Sequence, residues 1–86
     1  MYCEWIIDWF VNHGTADKDE LYANMDTNYF DNEYIDSFAF IKLINDIEEN
    51  FNITFDNEEF QDRSLATITG LGKCIEKCVR RKNNDV

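Results

Sequence analysis

Residues 32–51, NEYIDSFAFIKLINDIEENF, decide how the chain is read. From Phe40 onward apolar residues return every three or four positions, at Leu43, Ile44, Ile47 and Phe51, with Ile41 widening the stripe. That spacing predicts an amphipathic helix opening at Asp36 or Ser37. Asp36 suits the N-cap, because its carboxylate accepts backbone N–H bonds and its charge complements the helix dipole. Lys42, Asn45, Asp46, Glu48 and Glu49 are expected to face outward, and Asn50 and Asn52 flank the stop. Serine is an ordinary helix opener, so the question is whether Ser37 only helps to cap or carries chemistry.

Upstream, Tyr2, Trp5, Ile6, Trp9, Phe10 and His13 fall at helical spacing, and Asn12-His13-Gly14 reads as the end of that helix. His13 is expected to be a partly exposed terminal residue. Residues 15–36 are acidic and rich in Asn and Asp, too long for an idle connection in so small a domain. They read as a packed loop with a helical turn near Lys18–Asn24, pinned by Leu21, Met25, Tyr29, Phe30 and Ile35. Downstream, NITF is extended. DNEEF follows as a short helix, with Asp56 and Glu59 at capping-box spacing. The last helix opens at Thr67, with Ile68, Leu71, Ile75, Cys78 and Val79 as its stripe. Gly70 and Gly72 weaken it by roughly 1 kcal/mol each relative to Ala. The expected fold is all-α, a small four-helix bundle of three main helices and one short one, with a long first loop. One domain spans 1–82, and 83–86 form a frayed tail.

The chain has 86 residues and a formal net charge of −10. Residues 1–62 hold 16 acids and 2 bases; residues 63–86 hold 2 acids and 6 bases. So acidic a surface repels phosphate backbones and argues against nucleic acid as a partner. It steers toward basic protein surfaces instead, in competition with plain solubility. Two Trp, seven Phe and four Tyr supply enough buried area for a small core. No apolar run is long enough to span a bilayer and no secretory signal is visible, so no membrane is expected and the cytoplasm is the default. An initiating Met1 fits a free-standing protein. The cysteines, Cys3, Cys74 and Cys78, are odd in number, which argues against a disulfide framework. With His13 they make four potential zinc ligands, but paired C-x2-C spacing is missing. They are read as small buried hydrophobes and no metal is assigned. If the first and last helices run antiparallel, Cys3 approaches the Cys74–Cys78 end and a disulfide becomes possible on oxidation.

Nucleophilic catalysis needs a base beside the serine, and the only histidine, His13, belongs to a different helix. No G-x-S-x-G surrounds Ser37. Calcium fails as well: the window from Asp26 has Asp31 where Gly belongs and Ser37 where a bidentate Glu is needed. No Gly-rich phosphate cradle exists. What remains is a serine at a helix start, where free N–H groups and the positive dipole end would accommodate an attached phosphodiester. On residues alone, a modification site and a mere capping residue both stay open.

Over residues 2–80 the chain resembles the acyl and peptidyl carrier proteins. Asp36-Ser37-Phe38 matches the family's D-S-[LMF] motif at the start of a second helix. Phe40-Ile41, Leu43-Ile44, Ile47 and Glu48-Glu49-Asn50-Phe51 match the pattern that follows, and Thr67-Ile68 matches the opening of the last helix. The wording YIDSF is similar to D-alanyl and peptidyl carriers. The resemblance implies a non-catalytic shuttle. A phosphopantetheinyl transferase would move 4′-phosphopantetheine from coenzyme A onto Ser37, and the arm's thiol would hold an acyl or aminoacyl thioester. The implied partners are that transferase, a loading ligase or adenylation enzyme, and acyl- or aminoacyl-processing enzymes, met by a monomer. Asp36, Phe38, Asp46, Glu48 and Glu49 would line the docking face. The chain departs from the family at Glu33 and Tyr34, where many members carry glycine, and the loop backbone is expected to differ there. Lys42 stands where fatty-acid carriers are often acidic, and Asn45 where a docking hydrophobe is common. These point to a specialised pathway, secondary-metabolite or cell-envelope, over fatty-acid synthesis. An unmodified acidic interaction module of the same fold is the alternative.

Overall fold

The computed structural model describes residues 2–14 and 16–84, the last two by backbone alone. Five α-helices follow one another: α1 Tyr2–Asn12, α2 Lys18–Ala23, α3 Ser37–Phe51, α4 Asn57–Gln61 and α5 Ile68–Asn84, with a 3-10 helix at Arg63–Ala66 before α5. There is no strand among the described residues. The all-α bundle is thus as the apolar spacing predicts. The expected turn near Lys18–Asn24 is a true helix, capped by the Asp17 carboxylate on the Glu20 N–H at 2.9 Å. The 3-10 helix was not foreseen. Helix α5 runs to Asn84, two residues into the segment read as a tail; 85–86 lie outside the described residues.

Helices α1 and α3 run antiparallel. The rings of Tyr2 and Trp5 meet Phe51 edge-on, each with centroids 5.4 Å apart, while Trp9 Nε1 donates to Asp46 Oδ2 at 2.8 Å. Ile6, Ile7, Phe10, Leu43 and Ile47 of these two helices are sealed from solvent in the core. Burial of each such side chain contributes about 1.5–3 kcal/mol. Ile7 lies off the stripe read from sequence and is buried all the same, because α5 closes over that side of α1. His13 is exposed, as expected for a helix end, and stacks on Trp9 with centroids 3.8 Å apart.

The long loop is fastened at both levels, side chain and backbone. The Tyr29 hydroxyl donates to the Leu65 carbonyl, and its N–H donates to the Ala66 carbonyl at 2.9 Å. The Thr69 N–H donates to the Met25 carbonyl at 3.1 Å. Burial pushes the Tyr29 phenol well above its ordinary pKa, so this tie stays a neutral O–H donor. Leu21, Tyr34 and Ile35 complete the loop's anchorage.

The glycines of α5 have a reason beyond propensity. A Cβ on Gly70 would lie 1.8 Å from the Ser64 carbonyl oxygen, so only glycine lets the 3-10 helix rest on α5. A Cβ on Gly72 would lie 2.6 Å from Cys3 Sγ. That contact also corrects the disulfide expectation. Cys3 meets α5 at Gly72 and Ile68, whereas Cys74 and Cys78 turn to Glu59, and all three thiols are free. Burial pushes the thiols of Cys3 and Cys78 up and that of Cys74 to about 12, leaving them neutral near pH 7.

Candidate functional site: the start of helix α3

The chain enters α3 through an extended Asp36, whose carboxylate accepts the Ala39 N–H at 2.8 Å and whose carbonyl accepts that of Phe40 at 2.9 Å. Asp36 is therefore the N-cap and Ser37 the first helical residue, which resolves the boundary left open by the sequence. The serine does not cap. Its side chain is exposed and, among the described residues, has no hydrogen-bond partner. The N–H groups of Ser37 and Phe38 likewise meet no acceptor there. A helix start of this kind offers two free donors and the positive dipole end to an anion esterified on the hydroxyl. The phosphodiester of a phosphopantetheine arm fits that environment, and none of the described residues covers the hydroxyl.

Around the serine two apolar residues stand in water. Phe38 is 86% exposed and Ile41 is 58% exposed. Ile41 was expected to widen the core stripe; it lies about 100° around the helix from Phe40, past the edge of the buried face. It sits one turn below Ser37 and three residues from Phe38, so the three side chains border one patch. A core position for Phe38 is excluded by the same exposure. On the loop side Phe30, Glu33, Tyr34, Ile35, Asp36 and Ala39 line a shallow groove of about 400 Å³.

The remaining docking candidates divide. Glu49 is exposed, about 18 Å along the helix from Ser37. Asp46 and Glu48 were expected to face out, but both are half-buried and their carboxylates are engaged inside the molecule. Asp46 accepts from Trp9 and stands 4.0 Å from Lys42 Nζ. Glu48 Oε2 accepts the Phe55 N–H at 2.9 Å and holds the extended segment after α3. Glu33, where the family often has glycine, takes φ 60°, a left-handed conformation that glycine adopts without strain. A non-glycine residue therefore holds a conformation that costs an L side chain strain. The four residues weighed as zinc ligands do not gather: His13 stays with Trp9, and Cys3 with the first turns of α5.

An exposed, unpartnered serine at the head of a helix in a small all-α bundle has the geometry that a carrier domain requires. The family model described as the phosphopantetheine attachment site matches residues 16–71, from the loop through α3 to the start of α5, and the chain belongs to that family. No curated protein and no solved structure matches it. Members of the family carry covalent 4′-phosphopantetheine, are modified by a phosphopantetheinyl transferase, and hand intermediates to processing enzymes without catalysing the steps themselves. No helix among the described residues is long and apolar enough to cross a membrane.

Proposed function

We propose that Ser37 is the residue that bears the arm, and that the chain carries acyl or aminoacyl thioesters in a specialised pathway. The observation that carries the reading is the solvent-exposed Ser37 hydroxyl at the first position of α3, beside a capping aspartate and inside the matched region. The transferase would deliver phosphopantetheine to that oxygen; the serine's proton leaves and the 3′,5′-adenosine bisphosphate part of coenzyme A departs. The arm supplies a terminal thiol that holds the cargo as a thioester. The chain's own residues position the attachment point. Asp36 fixes the first turn, and the free N–H groups of Ser37 and Phe38 would be available as donors to the phosphate. Phe38 and Ile41 offer the apolar contact for partner enzymes, with Asp36 and Glu49 as the acidic contribution. Asp46 and Glu48 act indirectly, by holding α3 against α1 and the segment after it.

The test is incubation with coenzyme A and a promiscuous transferase, read by intact mass. The expected result is one arm per chain, and none for Ser37→Ala with unchanged helical circular dichroism. An unchanged wild-type mass beside an active control carrier would overturn the reading and leave an unmodified interaction module. Which amino or acyl acid is loaded then follows from offering the modified chain to adenylation and ligase enzymes of known specificity.

A further inference from the structure

The contact between α4 and α5 holds a second cluster, built from residues that the carrier role does not use. Glu59 is a carboxylate only 6% exposed. Its Oε2 accepts the Asp56 N–H at 2.8 Å, the reciprocal half of the capping box, and its Oε1 accepts from Arg81 Nη2 at 2.6 Å. Cys78, 5% exposed, brings its Sγ to the same Oε1 at 3.7 Å. Cys74 lies one turn earlier on the same face of α5. The two sulfurs and a Glu59 oxygen all lie within 4.8 Å of one another.

We infer that Glu59, Cys74 and Cys78 form a binding site for Zn²⁺ or a similar thiophilic divalent ion. Bond lengths of about 2.0–2.3 Å in a tetrahedral zinc site set neighbouring ligand atoms about 3.4–3.8 Å apart, so the cluster needs to contract by roughly 1 Å. Two thiolates with one carboxylate favour zinc over magnesium or calcium, which prefer oxygen donors. A groove lined by Glu58, Glu59, Ser64, Lys73, Cys74 and Arg81 opens the cluster to solvent and admits water as fourth ligand. Arg81 now occupies the place of the cation, bonded to Glu59 and 3.6 Å from Cys78 Sγ. It has somewhere to go, because its other nitrogen already reaches Asp56 at 3.3 Å. The charges balance: two thiol protons leave to solvent, the ion and three anionic ligands sum to −1, and Arg81 alongside neutralises it. Bound zinc would replace Arg81 as the tie between α4 and α5. The pairing escaped the spacing argument because the third donor is a glutamate that also reads as a capping residue.

The inference does not depend on the arm, and its test is arranged to show that. The full chain carrying Ser37→Ala, which removes any pantetheine thiol, is titrated with Co²⁺ and then Zn²⁺. Expected are thiolate-to-cobalt charge-transfer and tetrahedral d–d absorption saturating at one equivalent, displaced by Zn²⁺. Cys74→Ser and Cys78→Ser should each weaken binding at least about tenfold, and Cys3→Ser should leave it unchanged. Zinc should also raise the melting temperature of the parent chain and not of Cys74→Ser. No thiolate band on the parent chain, or an undiminished titration for the two α5 variants, would overturn the site. So would dependence on Cys3.

Discussion

Two phenylalanines two positions apart on α3 should respond to truncation in opposite ways. Phe38 is 86% exposed. A phenylalanine buries roughly 200 Å² when fully covered, so this one hides only about 30 Å². At about 25 cal/mol per Å² its truncation forfeits about 0.7 kcal/mol, and alanine's higher helix propensity returns about 0.5 kcal/mol. Phe38→Ala should therefore change stability by less than about 0.5 kcal/mol. Phe40 is half-buried, with ring centroids 5.2 Å from Phe30 and 6.3 Å from Tyr29. Its loss opens a gap under the loop, and Phe40→Ala should cost about 2–4 kcal/mol. Urea unfolding followed by the two tryptophans measures both. The transferase assay should reverse the order: an aromatic anchor beside the acceptor hydroxyl is worth ~1.4 kcal/mol or more in docking, a tenfold or greater fall in kcat/KM for Phe38→Ala. A large stability loss for Phe38→Ala would refute the exposure on which the docking patch rests. Normal transfer kinetics would refute the patch itself.

Glu33→Gly should stabilise the chain by about 0.5–1 kcal/mol, because glycine relieves the left-handed strain at φ 60° by more than it adds to unfolded-state freedom; a loss on urea titration would contradict this. Gly70→Ala should destabilise by at least about 1–3 kcal/mol despite alanine's helix preference, since its Cβ meets a backbone carbonyl that cannot move aside alone. Thermal melts that show no loss would mean the 3-10 helix is not seated as described. Asp62 accepts the Ser64 N–H at 3.0 Å and the Ser64 hydroxyl at 2.8 Å, and these bonds hold its pKa below the ordinary carboxylate range. Its contribution is complete above the unfolded carboxylate pKa of about 4 and disappears as pH falls through the lower folded value. Asp62→Asn should flatten the acid limb of the stability curve in that window, measured by urea midpoints between pH 5 and pH 2.

The helices were legible where one face is buried and the other wet. Phe40, Leu43, Ile44 and Ile47 declared α3, Asp36 its cap, and the Asp56–Glu59 spacing the start of α4. Failures came where a residue's role depends on a neighbour distant in sequence. Ile41 reads as core by chemistry, yet no other element covers it. Asp46 and Glu48 read as solvated acids, yet one meets the Trp9 indole and the other a backbone N–H seven residues on. Gly70 and Gly72 read as weak points until Ser64 and Cys3 are seen against them. Glu59 reads as a cap, and only the packing of α4 on α5 places it with two cysteines.

These corrections alter what the surface of α3 means. Read as a row of acids, the helix would attract partners mainly by charge, through a field that salt screens over about 10 Å at 0.1 M. With Asp46 and Glu48 turned to internal bonds, the row is interrupted, and the apolar side chains nearest Ser37 that a partner can touch are Phe38 and Ile41, beside the exposed Asp36. The chain's overall acidity still speeds encounter with basic enzymes, because that depends on total charge. On the proposed function, discrimination among partners that reach the serine would pass instead to an aromatic and a branched aliphatic side chain, whose contacts are short-ranged and insensitive to salt. The internal bonds of Asp46 and Glu48 serve the same end from behind: they fix α3 so that the hydroxyl, the two exposed apolar residues and the free N–H groups are presented together.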